Sequence, residues 1–214
     1  VNAHNRSAAF YFFFLIVTAL SLLSPYTVLA DEYRALGETS GSAADALLGD
    51  LLLSLPFSNA IELASGISVR PEPPGKALLL SLTRPQPSLS DAEREVLLLR
   101  ILSGRRKLQP EAEATLYTAF FSFHDHTLRA VALTFMTKSD RSPSEHFLIR
   151  EAHDLRNVIA SSPPGVRQEA LSFALIAQTG TSLQLAALLS DLAASSRDRT
   201  VVAALLASAR IVFD

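Results

Sequence analysis

Asp125-His126-Thr127-Leu128-Arg129-Ala130-Val131-Ala132-Leu133-Thr134-Phe135, set beside Pro163-Pro164-Gly165-Val166-Arg167-Gln168-Glu169-Ala170-Leu171-Ser172-Phe173, decides how this chain is built. Both stretches run aliphatic, Arg, two free positions, Ala-Leu, a hydroxyl residue and Phe. The copies start 38 residues apart (166 minus 128), inside the range of helical repeats. A weaker third copy, Asp198-Arg199-Thr200-Val201-Val202-Ala203-Ala204-Leu205-Leu206, starts 35 residues further on (201 minus 166). There Val202 stands where Arg167 stood, and the Ala-Leu pair slips by one position. Leu128, Ala132 and Phe135 fall on one helical stripe, and Asp125 and Asp198 carry the short acceptor side chain that caps a helix start. Ala132, Ala170 and Ala204 are small where two helices need to approach. Each copy is therefore expected to be the inner helix of a pair, with residues 111–123, 144–160 and 182–194 as the preceding partners.

The flanking sequence supplies matching punctuation. Ser90 followed by Glu93 is a capping-box signature at the head of a helix over 91–103. Gly104 stops that helix, and Arg105, Arg106 and Lys107 read as a charge cluster at its negative end in preference to a docking patch. Pro110 and Pro143 sit where a first helical turn tolerates proline. Gly180 ends the helix before 182–194, and a last helix starts at about residue 200. Residues 182–194 and 200–213 are apolar nearly all round, so most of their faces need covering. Ile211-Val212-Phe213-Asp214 lacks the polar outer face of a terminal repeat. The expectation is an array that continues, or an end that docks on a partner or a second copy.

Residues 88–214 resemble a HEAT-type α-solenoid, whose inner helices open with an Asp or Pro turn followed by Val-Arg and then Ala-Leu. The likeness is moderately specific over 125–135 and 166–173 and poor at the third copy. It implies an all-α fold, a right-handed α-α superhelix of stacked helix pairs, and recognition through the curved face and turns. Residues 31–87 read as a less regular N-terminal segment. In it, 31–41 is a polar linker, 43–55 a helix ended by Pro56, and 59–64 a short helix before Gly66. The run Arg70-Pro71-Glu72-Pro73-Pro74-Gly75 is a turn. Residues 76–83 fit a short helix or a buried strand, and as a strand would pair with 67–69 in a small hairpin.

At the N-terminus, His4 and Arg6 precede an apolar run over 8–23, then Pro25, Val28-Leu29-Ala30 and the acidic pair Asp31-Glu32. This order is the signal-peptide pattern and predicts an exported protein that begins near Asp31, in a periplasm or cell envelope or secreted. The rival reading is an uncleaved membrane anchor. Val1 in place of Met is expected from an alternative start codon or from a piece of a longer chain.

Composition narrows the function. Lys and Arg number 19 against 21 acids, so no basic excess draws the chain to nucleic acid. Cysteine is absent, which removes disulfides, thiolate metal sites, a cysteine nucleophile and a lipid-bearing cysteine. His124, His126, His146 and His153 share a window with Asp125, Glu145, Glu151 and Asp154, the donor types of a zinc site. No HExxH spacing occurs, and Asp125 is already explained as a cap. No Gly-x-Ser-x-Gly elbow, Walker loop or dinucleotide glycine pattern is present. Glu111, Glu113 and Glu169 read as solvated helix-face carboxylates. No catalytic, cofactor-binding or metal residue is therefore assigned and no cofactor is expected. The expected function is an exported protein–protein interaction or scaffold module, with Asp125, His126, Arg129 and Arg167 at repeat turns or inner-helix starts. For the arginines, hydrogen bonding between repeats is the stronger expectation. Alternatives are a metal-dependent hydrolase built on the four histidines and a membrane-anchored assembly subunit. The expected partner is a protein, or a second copy through the apolar C-terminal helix. A membrane enters only if the N-terminal segment is retained.

Overall fold

A computed structural model describes residues 26–84, 87–103, 108–139 and 142–213. Among them are eleven α-helices, one 3₁₀ turn and no strand. These are α1 (Tyr26–Gly37), α2 (Ser42–Ser54), α3 (Phe57–Val69), α4 (Lys76–Thr83), α5 (Asp91–Leu102) and α6 (Pro110–Ala119), which the 3₁₀ turn Phe120–Ser122 extends. They continue with α7 (His126–Met136), α8 (Glu145–Val158), α9 (Val166–Ala177), α10 (Leu183–Ser195) and α11 (Arg199–Phe213).

The helices stack in two layers. Odd-numbered helices pack in succession, α1 on α3, α3 on α5, and so on to α11. In the other layer α2 packs on α4, α4 on α6, and α8 on α10. Between α6 and α8 the join is aromatic: Phe147 lies 5.5 Å from Tyr117 and 5.1 Å from both Phe120 and Phe121, centroid to centroid. The result is an all-α solenoid of stacked helix pairs, with one apolar seam between the layers running from Leu48 to Val212.

Local signals place these helices where the residues direct. Ser90 Oγ accepts from the Glu93 N–H while Glu93 reaches back to the Ser90 N–H, closing the capping box. Asp125 Oδ1 accepts from the N–H groups of Thr127 and Leu128, and Asp198 Oδ1 from those of Thr200 and Val201. Equivalent positions of the first two sequence copies meet in space. Thr134 Oγ1 and Ser172 Oγ, 38 residues apart, are hydrogen bonded at 3.1 Å. Ala132 and Ala170 are fully buried.

Helix stacking begins well before residue 88. The hairpin between 67–69 and 76–83 does not form: the first stretch is the last turn of α3 and the second is α4. Leu78, Leu79 and Leu82 follow helical spacing and bury one face, which decides the ambiguity. Between them the proline turn is held by Arg70, whose Nη2 pairs with Asp45 Oδ1 at 2.5 Å and whose Nη1 donates to the Thr39 carbonyl at 3.0 Å. Residues 31–37 of the expected linker belong to α1, and the helix expected over 59–64 spans 57–69. Gly66 does not end that helix. It is the place where α3 crosses α1: a Cβ there would lie 1.9 Å from the Arg34 carbonyl oxygen. The expected helix over 111–123 gives way to a 3₁₀ turn at Phe120, a fully buried ring. Residues 1–25, with most of the leader, and the Gly104 stop with Arg105, Arg106 and Lys107 lie outside the described residues.

Candidate functional site

Side-chain bonds link the starts of successive odd-numbered helices. Glu95 on α5 accepts from the backbone N–H groups of His124 and Asp125, both at 2.6 Å, and so reinforces the cap of α7. On α7, His126 Nδ1 lies 2.5 Å from Glu169 Oε2 of α9. On α9, Arg167 Nε donates to Asp198 Oδ2 of the α11 cap at 2.8 Å. That bond, helped by the backbone N–H of Val201, holds the Asp198 carboxyl below its usual range.

The densest chemistry lies where α7, α8 and α9 meet. Arg129 Nη2 contacts Glu151 Oε2 and reaches Asp154 Oδ2 at 3.4 Å. Arg129 Nε lies 2.8 Å from Glu169 Oε1, an ion-pair distance without hydrogen-bond alignment. The guanidinium carbon sits 4.8 Å from the Phe120 ring centroid. Glu151 and Glu169 are wholly buried, and Arg129 nearly so. Burial pushes the Glu151 carboxyl well above the usual range. Arg129 opposes that shift and Glu169 adds to it. Glu113 is buried as well, so of the three carboxylates expected on solvated faces only Glu111 is exposed.

The four histidines do not converge. His124, His146 and His153 are exposed, and His126 is committed to Glu169. Among the described residues no group of three or more His, Asp or Glu side chains is placed to hold a metal ion. The acids that gather here surround a guanidinium. Sequence periodicity carried a signal for them: Glu151 falls on the buried stripe of Leu148, Ala152 and Leu155, and Glu169 on that of Val166, Ala170 and Phe173.

Two grooves open on the surface. One of about 660 Å³ lies between α4 and α6, with Lys76, Arg84, Glu111, Thr115 and Thr118 in its wall. The other, about 470 Å³, lies between α10 and α11 and is mostly apolar, with Leu183, Ala186, Leu206 and Phe213 in its wall beside Ser190 and Arg210. Leu183 and Phe213 are 67% and 69% exposed. No described helix is long and apolar enough to cross a membrane.

The fold and these sites define an all-α solenoid with internal ionic joints and an apolar groove between α10 and α11. Comparison with known proteins adds no relative: no family model matches the chain, and neither a curated protein nor a solved structure matches it significantly.

Proposed function

We propose that this chain is a HEAT-like interaction scaffold whose α10–α11 groove binds a helical surface of a partner protein. The apolar groove between those helices carries the reading. Earlier in the stack α9 is covered by α11 and α8 by α10, so a face of this kind is one that packs against helices. On α10 and α11 the large side chains Leu183, Leu206 and Phe213 line that groove and are exposed together, as at a protein-binding surface. An amphipathic helix or helix pair supplies the matching chemistry. The buried ionic groups are bound up in joining helices and serve the rigidity of the scaffold.

The test is site-directed photo-crosslinking from Leu206, with Val96, an exposed apolar residue on α5, as the control position. One defined protein adduct at Leu206, absent at Val96 and lost in Leu183→Glu/Phe213→Glu with helicity intact, supports the reading. Equal adducts at both positions refute it. An adduct to a second copy, with a doubled mass in solution, places self-association in that groove.

Export to the periplasm or envelope is the accompanying proposal and rests on the leader pattern of residues 1–30. The Ala30–Asp31 bond lies inside α1, and the crossing with α3 at Arg34 and Gly37 follows it. Cleavage there leaves the α1–α3 crossing in place. A mature mass that starts at Asp31 supports processing, and an intact N-terminus overturns it in favour of the anchored form.

A further inference from the structure

We propose that one proton held between the Glu151 and Glu169 carboxyls latches α7, α8 and α9 together, so that this joint of the solenoid is tight in acid and slackens as pH rises. The geometry carries the argument. The two carboxyls come from different helices, are wholly removed from water and close on the same guanidinium, Glu151 Oε2 against Nη2 of Arg129 and Glu169 Oε1 2.8 Å from its Nε. Two carboxylates held away from water against one guanidinium leave a buried charge uncompensated unless one of the pair is protonated. Glu151 Oε1 and Glu169 Oε1 have no hydrogen-bond donor when both groups are taken as ionised. A proton on one carboxyl supplies that donor.

The surrounding charges do not replace it. From α7 come Arg129, already shared between both carboxyls, and His126, which points Nδ1 at Glu169. On α8, Asp154 adds negative charge beside Arg129. The neighbouring arginines are engaged elsewhere: Arg150 over the Phe121 ring at 3.9 Å, Arg156 with Asp191 of α10 at 3.7 Å, and Arg167 with Asp198 at the α11 cap. The 3₁₀ turn after α6 contributes the Phe120 ring, and Glu95 of α5 is bonded to the turn before α7.

The sign follows from linkage. The folded joint binds the proton more tightly than the opened chain does, so its contribution is complete below the ordinary glutamate value of 4.5 and is lost as pH rises through the raised titration of Glu151. Once the proton is gone, two buried carboxylates face one guanidinium.

The experiment is amide hydrogen exchange on the full-length chain between about pH 5 and pH 8, corrected for intrinsic exchange, with α2–α4 as internal reference. In the wild type, protection in α7–α9 should fall by up to about tenfold per pH unit, the slope of one released proton. In Glu151→Gln, whose amide donates a hydrogen bond without titrating, the slope should vanish. Equal slopes in the two proteins overturn the proposal. So does a slope that disappears in His126→Gln and persists in Glu151→Gln, since the proton would then sit on the imidazole. If Glu151→Gln does not fold, carboxyl-carbon NMR on the wild type decides. A Glu151 carboxyl still protonated at about pH 6 supports the latch, and an ionised one there sinks it.

Discussion

Gly66→Ala adds a single methyl group and should loosen the N-terminal end of the solenoid. The added Cβ would lie 1.9 Å from the Arg34 carbonyl oxygen, 2.8 Å from its carbon and 3.0 Å from Gly37 Cα. All three are backbone atoms and cannot rotate away. Reaching even 3.0 Å from the oxygen requires α1 to back off by about 1 Å, a gap at which dispersion contacts forfeit up to half their well depth. Alanine also favours helix over glycine by about 1 kcal/mol, which works in the opposite direction. Overpacking of this kind costs about 1–3 kcal/mol, with the upper end expected where only backbone can yield. The clash therefore wins by about 1–2 kcal/mol. Gly49→Ala is the matched control, because its Cβ would meet Ser81 Oγ at 2.5 Å, a side chain that can turn aside. Urea unfolding of the full chain should give a lower midpoint for Gly66→Ala and a smaller change for Gly49→Ala. Hydrogen exchange should quicken first in α1. A Gly66→Ala protein as stable as the wild type, with α1 exchange unaltered, would refute the crossing.

Three further outcomes follow from the ionic joint and the caps. Arg129→Met leaves Glu151 and Glu169 buried without a cation and should cost about 3–5 kcal/mol in denaturant unfolding, part of it recovered when Glu151→Gln is added. Asp125→Ala removes the acceptor for two N–H groups of α7 and should cost about 1 kcal/mol in the same assay, with Asp125→Asn closer to wild type. The Tyr117 phenol is pushed up to about 12 by burial and by the nearby Glu113, so a spectrophotometric titration should show a late ionising step that disappears in Tyr117→Phe. Since the folded state holds that proton more tightly than the unfolded chain, stability should fall as pH climbs from 10 towards 12.

Signals confined to a few consecutive residues were legible before any coordinates. The Ser90–Glu93 box, the Asp125 and Asp198 caps and Pro110 at a helix start all act within one turn, and each takes the expected place. Residues 67–83 were not legible in that way. A short leucine run satisfies helix and strand patterns alike, and the buried Arg70–Asp45 pair that fixes the intervening turn joins residues 25 positions apart. Gly66 misled for a related reason. Glycine near a helix end usually marks a stop, and only the neighbouring helix reveals that it marks a crossing.

The repeated arginine shows the same limit and also explains why the third copy looked weak. Arg129 and Arg167 occupy one motif position, yet Arg129 is nearly buried and Arg167 is exposed. The difference comes from the following copy in each case. The copy after Arg129 supplies Glu169, three residues beyond Val166, and that carboxylate draws the guanidinium inward. The equivalent position after Arg167, three residues beyond Val201, is Ala204. With no acid there to meet it, Arg167 stays at the surface and pairs with the cap residue Asp198 instead. A charge pair between copies survives only where both partners are present, so divergence of the third copy removes a buried joint while leaving the helix stack intact. That places the ionic latch at α7–α9 and leaves the α9–α11 contact to be held mainly by apolar packing, supplemented by the Arg167–Asp198 pair at the surface and by Ser208 Oγ donating to the Ala174 carbonyl at 2.6 Å.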